Sequence, residues 1–247
     1  MFAVPQTDDH VFLVGRPPLG EFLGFIRTMS IDGQTADQGQ LANEWRQAND
    51  HVSELDKTEA GIADGLQVAE LPASLAQLAE QVCAEPSFQK TFGALPTQFG
   101  VVELDRLVVY QKFINLGYVE MLRQTFPPTP TEIDVAELAF GIGRPTADVR
   151  PMQIAGNAYT FLSPSNDLRV LETALLQPQQ VAAPSSGHPV AHVVISLGFG
   201  TNLLNVLAIE NRLVLNNGSH RAYFLRELGI KLVPCVIQHV SRAMNSS

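Results

Sequence analysis

The sequence predicts an α+β fold: a mixed sheet with helices packed on it, a mostly helical region over residues 1–98, and an inserted middle segment at about 127–188. Three observations carry this reading. Leu213-Val214-Leu215, the pair Asn217-Gly218, the helix start Ser219-His220-Arg221 and the run Lys231 to Ile237 read in order as strand, turn, helix and strand. In the first hundred residues, apolar side chains recur at spacings of three and four. After Pro127-Pro128-Thr129-Pro130 the chain breaks into short apolar runs separated by turn residues.

Taken in order, Val11 to Val14 is a short apolar run stopped by Gly15-Arg16-Pro17-Pro18. Leu19, Phe22, Leu23 and Ile26 then share one helical face. Leu41, Trp45, Ala48, Val52 and Leu55 mark a second helix packed along one stripe. Pro72 opens a third through Leu75, Leu78 and Val82, because proline is tolerated in a first turn. A strand is expected near 100–104, a helix near 117–126 and another from Ile133 to Phe140. Met152 to Ile154 and Ala158 to Leu162 look strand-like, and Leu168 to Leu176 is expected to be helical. Gln177 to Gly187 is a loop, having no periodicity and little to bury. Val190 to Ser196 and Leu203 to Ile209 read as strands, with Gly198-Phe199-Gly200 as a loop tip between them.

Composition narrows the function classes. The 247 residues are 45% apolar with a formal net charge of −9, which argues against a broad nucleic-acid surface and makes DNA an unexpected partner. Cys83 and Cys235 have no metal or redox spacing and are expected to be buried thiols in a reducing compartment. The start lacks a basic leader pattern and no run is long enough to span a bilayer, so the expectation is a cytoplasmic protein with no membrane contact.

The stretch from Leu213 to Gly229 has the outline of an anion site. Asn217-Gly218 tolerates positive φ, and the free N–H groups at the start of the next helix attract phosphate. Arg221 adds a guanidinium able to make bidentate contacts, although a cation at a helix N-terminus is electrostatically awkward unless an anion offsets it. Asn217-Gly218-Ser219-His220-Arg221, the helix end at Leu228-Gly229 and the strand Lys231 to Ile237 resemble the signature of the ParB/sulfiredoxin superfamily. An upstream box, Val102 to Leu107 followed by Gln111 and Tyr118 to Leu122, is similar to that superfamily's opening strand and helix. The resemblance covers about residues 99–240 and implies a nucleotide (ATP, ADP or CTP) with phosphates on Asn217, Gly218, Ser219, His220 and Arg221, and with Gln111 lining the site.

Departures separate the branches. Sulfiredoxins carry a cysteine where Ser219 stands, so sulfinic acid repair is not expected. The resembling free-serine kinases have a glutamate and an aspartate where Gln111 and Asn217 stand, and an amide cannot act as a general base. Partition proteins have an arginine-rich turn and a following helix-turn-helix, neither of which is seen. Glu132, Asp134 and Glu137 have the ligand type for magnesium beside a nucleotide, and equally suit the start of a helix. Three readings follow: a nucleotide-binding protein acting as a hydrolase or phosphotransferase; a non-enzymatic regulatory or scaffold module meeting a protein partner through its N-terminal helices; and a DNA-associated ParB-like factor.

Overall fold

A computed structural model describes residues 9–143, 148–156, 158–163, 168–181 and 190–240. The N-terminal part holds β1 (His10–Phe12), α1 (Leu19–Met29), α2 (Gln38–Thr58), β2 (Val68–Ala69), α3 (Ala76–Ala84) and α4 (Pro86–Phe92). There follow β3 (Thr97–Glu103), β4 (Val108–Val109), β5 (Phe113–Asn115), α5 (Leu116–Thr125) and α6 (Glu132–Phe140). Two ribbons come next, β6 (Arg150–Ala155) with β7 (Ala158–Leu162), and β8 (Leu168–Leu176) with β9 (His192–Phe199). The chain closes with β10 (Asn205–Ile209), β11 (Arg212–Asn217), α7 (Ser219–Glu227) and β12 (Leu232–Val240).

The main sheet has the order β2-β3-β12-β10-β11-β4 and mixes parallel with antiparallel pairs, which establishes the α+β class. At its centre β12 is buried continuously from Val233 to Gln238, so both of its faces are covered. Pro234 fits this strand for a specific reason. Val236 donates its N–H to Leu204, so by alternation the missing N–H of Pro234 points the same way, before the β10 ladder begins at Asn205 opposite Val236. α6 packs on β12 through Ala136 and Ala139, both fully buried, whose small side chains allow close approach. Phe99 of β3 stacks on Phe88 of α4 and meets Phe140 of α6 edge-on.

Several expectations are redrawn by packing. The boundary between residues 98 and 99 falls inside β3, and β2 adds to the edge of that strand. Leu75, Val82, Phe88 and Phe92 lie in the same buried cluster as Val102 and Val206, so residues from 68 onward share the main core. The insertion set at 127–188 includes α6, which is core, and stops short of β9, which pairs with β8; the projecting segment is the two ribbons. Leu168 to Leu176 is a strand and not a helix, because its apolar residues meet β9 partners across a ladder, a context that local spacing does not encode. Gly198 and Phe199 are likewise the end of β9 rather than a loop tip. In the loop expected at 177–187, Pro178–Gln180 forms a 3-10 turn, and residues 182–187 lie outside the described residues, as does His188. Cys235 is buried, whereas Cys83 is partly exposed. Among the described residues no helix is long and apolar enough to cross a membrane.

The start of α6 shows how the acidic triplet is used. Thr131 accepts the Asp134 N–H while Asp134 accepts the Thr131 N–H at 2.7 Å, a reciprocal capping box; the Thr131 hydroxyl, donating to the carboxylate at 2.6 Å, and then the Thr131 N–H hold the Asp134 carboxyl below its usual range. Glu132 accepts the Ser74 hydroxyl at 2.5 Å. Among the described residues no group of three or more His, Cys, Asp and Glu is arranged to hold a metal ion, and Glu132 and Asp134 are engaged at the start of the helix instead. We predict that Thr131→Ala lowers the unfolding free energy by about 1 kcal/mol, the usual worth of such a cap, measured by urea denaturation.

Candidate functional site

The turn between β11 and α7 forms as its residue types require. Gly218 sits at φ 98°, ψ 21°, the left-handed region, and is the N-cap of α7. A side chain there is excluded twice, by the backbone angle and by space: a Cβ would lie 3.1 Å from Leu204 Cγ and 3.2 Å from Arg221 Nη2. Ser219 is the first helical residue, half-buried, and the first intrahelical bond runs from the Ala222 N–H to the Gly218 carbonyl at 2.8 Å.

Arg221 is where the structure departs most from the sequence reading. Its side chain is only 2% exposed and turns inward, away from any ligand at the turn. Nη1 donates to the carbonyls of Leu138, Ala139 and Asn202 at 3.1, 2.9 and 2.8 Å, and Nη2 to Asn202 Oδ1 at 2.8 Å. Leu138 and Ala139 lie in the last turn of α6, at the negative end of its dipole, where the Leu138 carbonyl also accepts the Gly141 N–H at 3.4 Å. The anion thought necessary to offset Arg221 is therefore supplied in part by another helix. Asn217 joins the same group, with Nδ2 3.5 Å from Asn202 Oδ1.

His220 faces a different neighbour. Its Nε2 accepts the Asn115 N–H at 3.0 Å, and its ring meets Tyr118 edge-on. Accepting at Nε2 requires the neutral ring. Burial, together with the nearby His10 and Arg221, pushes its pKa below the usual histidine value. Asn115 in turn caps α5 by accepting the Tyr118 N–H, so His220 links α7 to the junction of β5 and α5.

Gln111 does not join the turn residues in this network. Its Nε2 donates to the Phe113 carbonyl at 2.9 Å. It lines an open groove of about 480 Å³ with Phe12, Phe25, Tyr110 and Phe113, rimmed by the Lys112–Glu21 ion pair. Sequence reasoning missed Asn202, Asn205 and Asn115. Asn205 is buried, donates to the Val236 carbonyl and accepts from Asn216. Asn115 carries a local signal, an asparagine three residues before the Tyr118 N–H that it caps, whereas no local pattern marks Asn202 and Asn205, whose partners Arg221 and Val236 are distant in the chain.

Comparison with known protein families, curated proteins and solved structures finds no match to this chain.

Two predictions follow from the geometry. Arg221→Met leaves the α6 carbonyls and Asn202 without their donor, and should lower the unfolding free energy by at least about 3 kcal/mol in urea. For His220, a folded pKa below the unfolded value of 6.5 means that its contribution to stability is complete above pH 6.5 and is lost as the pH falls through the folded value. His220→Gln keeps an acceptor and removes the titration. Its acid-side loss of stability, compared by denaturation at pH 7.5 and pH 5, should be smaller than that of the native chain.

Proposed function

We propose that this chain is a ParB/sulfiredoxin-like protein that binds a phosphate-bearing nucleotide at the turn leading into α7. The observation that supports it is the Gly218 turn held over the Arg221 guanidinium at the N-terminus of a nine-residue helix. In this reading the phosphate ligands are the first backbone N–H groups of α7, and the side chains act from behind. Arg221 contributes charge and rigidity without contact. The positive charge of Arg221 beneath the turn is one that a phosphate would offset.

The aromatic groove beside Gln111 has the volume of a small-ligand site and suits a nucleobase. Phe113, on its wall, is two residues from Asn115 in β5, a separation of roughly 7 Å along a strand. Gln111 orients a ligand in this reading and does not take a proton. Hydrolysis or phosphoryl transfer would rest on positioning and on magnesium arriving with the phosphates. A second reading, a non-enzymatic module for protein contact, is favoured by the apolar side chains exposed on the β8–β9 ribbon.

The test uses ATP, ADP and CTP in calorimetry and thermal shift. At least one should raise the Tm of the native chain. Ser219→Asp places a carboxylate in the first turn of α7, which favours the helix dipole but repels phosphate. It should fold normally and bind at least about tenfold more weakly, the worth of one charged hydrogen bond. No Tm change with any nucleotide at millimolar levels, or equal binding by the variant, would remove this reading.

A further inference from the structure

The β8–β9 ribbon has one face made for burial. Residues paired across an antiparallel ladder share a side, and alternate residues along a strand return to it. The pairs Val170 with Leu197, Thr173 with Ile195 and Leu175 with Val193 therefore lie on one face, the register shift after Val170 being absorbed by a bulge. That face carries no charge. Leu175 is 69% exposed, Val193 66%, Ile195 57% and Val170 56%, values far from those of a sheet interior.

The orientation is set by the opposite side. Glu172, paired with Ser196 on the other face, forms an ion pair with Lys90 of α4 at 3.1 Å. The charged side thus leans toward the body of the protein and the apolar side away from it. A two-stranded ribbon whose apolar face is this exposed is marginal in water, so this element needs a second layer.

We propose that the second layer is the same ribbon of another copy, packed face to face across a twofold axis near Thr173 and Ile195. An uncharged face is its own complement, and a twofold contact uses the same patch on both chains. Two ribbons about 10 Å apart then form a four-stranded sandwich. Covering the face removes on the order of 600 Å² per copy, so the pair buries about 1,200 Å², the lower end of what a stable specific dimer needs. The long-range repulsion between two chains of charge −9 is screened at physiological salt and does not act within the uncharged patch. This assembly is independent of nucleotide binding at α7.

Sedimentation equilibrium of the full chain decides the matter. At about 100 µM, above the micromolar constants that interfaces of this size reach, the native mass should be twice 26.9 kDa. Ile195→Glu should shift it to one chain, weakening association at least 100-fold. The double substitution Val193→Thr with Ile195→Thr keeps β-branched residues in the strand and should weaken association at least tenfold with an unchanged circular dichroism spectrum. A native mass of one chain at this concentration overturns the proposal. So does a dimer that persists undiminished in the folded double variant, since the contact would then lie elsewhere.

Discussion

The guanidinium of Arg221 gathers the carbonyls of two parts of the chain, the end of α6 and the loop at Asn202, in a dry interior. It lies at the C-terminal end of α6, against the loop at Asn202 and beneath the turn at Gly218. The Ala139 carbonyl that accepts from Arg221 also accepts the Leu204 N–H, one residue before β10. The helix end that receives the cation is thus the one that sets where the strand enters the sheet. Gly141 closes α6 at φ 64°, and a Cβ there would lie 2.5 Å from the Asn202 carbonyl, so the loop passes closely over the helix end. One side chain thus donates to three carbonyls, two of which also accept a backbone N–H, from Gly141 and from Leu204.

This arrangement changes what an arginine at a helix N-terminus does. Turning Arg221 outward to a phosphate would exchange its bonds to Leu138, Ala139 and Asn202 for external ones. One charged bond to a ligand, worth about 1.5–3 kcal/mol, would have to replace all of them, which favours the internal position. The cation still acts at a distance: after burial and the neighbouring His10, it contributes to the lowered pKa of His220. His220 is itself committed as an acceptor to Asn115. Both side chains thereby tie the turn to its surroundings, His220 to Asn115 and Arg221 to α6 and Asn202.

The two kinds of β structure differ in how they are completed. In the main sheet, β12 has neighbours on both edges and cover on both faces. The β8–β9 ribbon has its apolar face open and is connected to the body through charged and polar side chains, including Lys90 with Glu172 and Thr91 with Thr201. One is stable within a single chain. The other leaves its apolar side chains exposed, and the N-terminal helix α2, half-buried along one stripe, shows no comparable apolar surface.

Much of the local structure was legible in the residues. The spacing of Leu19, Phe22 and Ile26, the stripe from Leu41 to Leu55 and the turn at Asn217-Gly218 each correspond to an observed element, because short-range periodicity and backbone freedom are properties of neighbouring residues. Leu168 to Leu176 was not legible, since alternating and helical spacings overlap in a short apolar run and only β9 settles the ladder. At the turn, residue types alone determined that a glycine, a histidine and an arginine would meet a helix start. Which way Arg221 points was decided by tertiary structure alone: its acceptors, Leu138 and Ala139, lie 83 and 82 residues away, and the electrostatics of a helix end depend on what packs against it, not on the residues beside it in sequence.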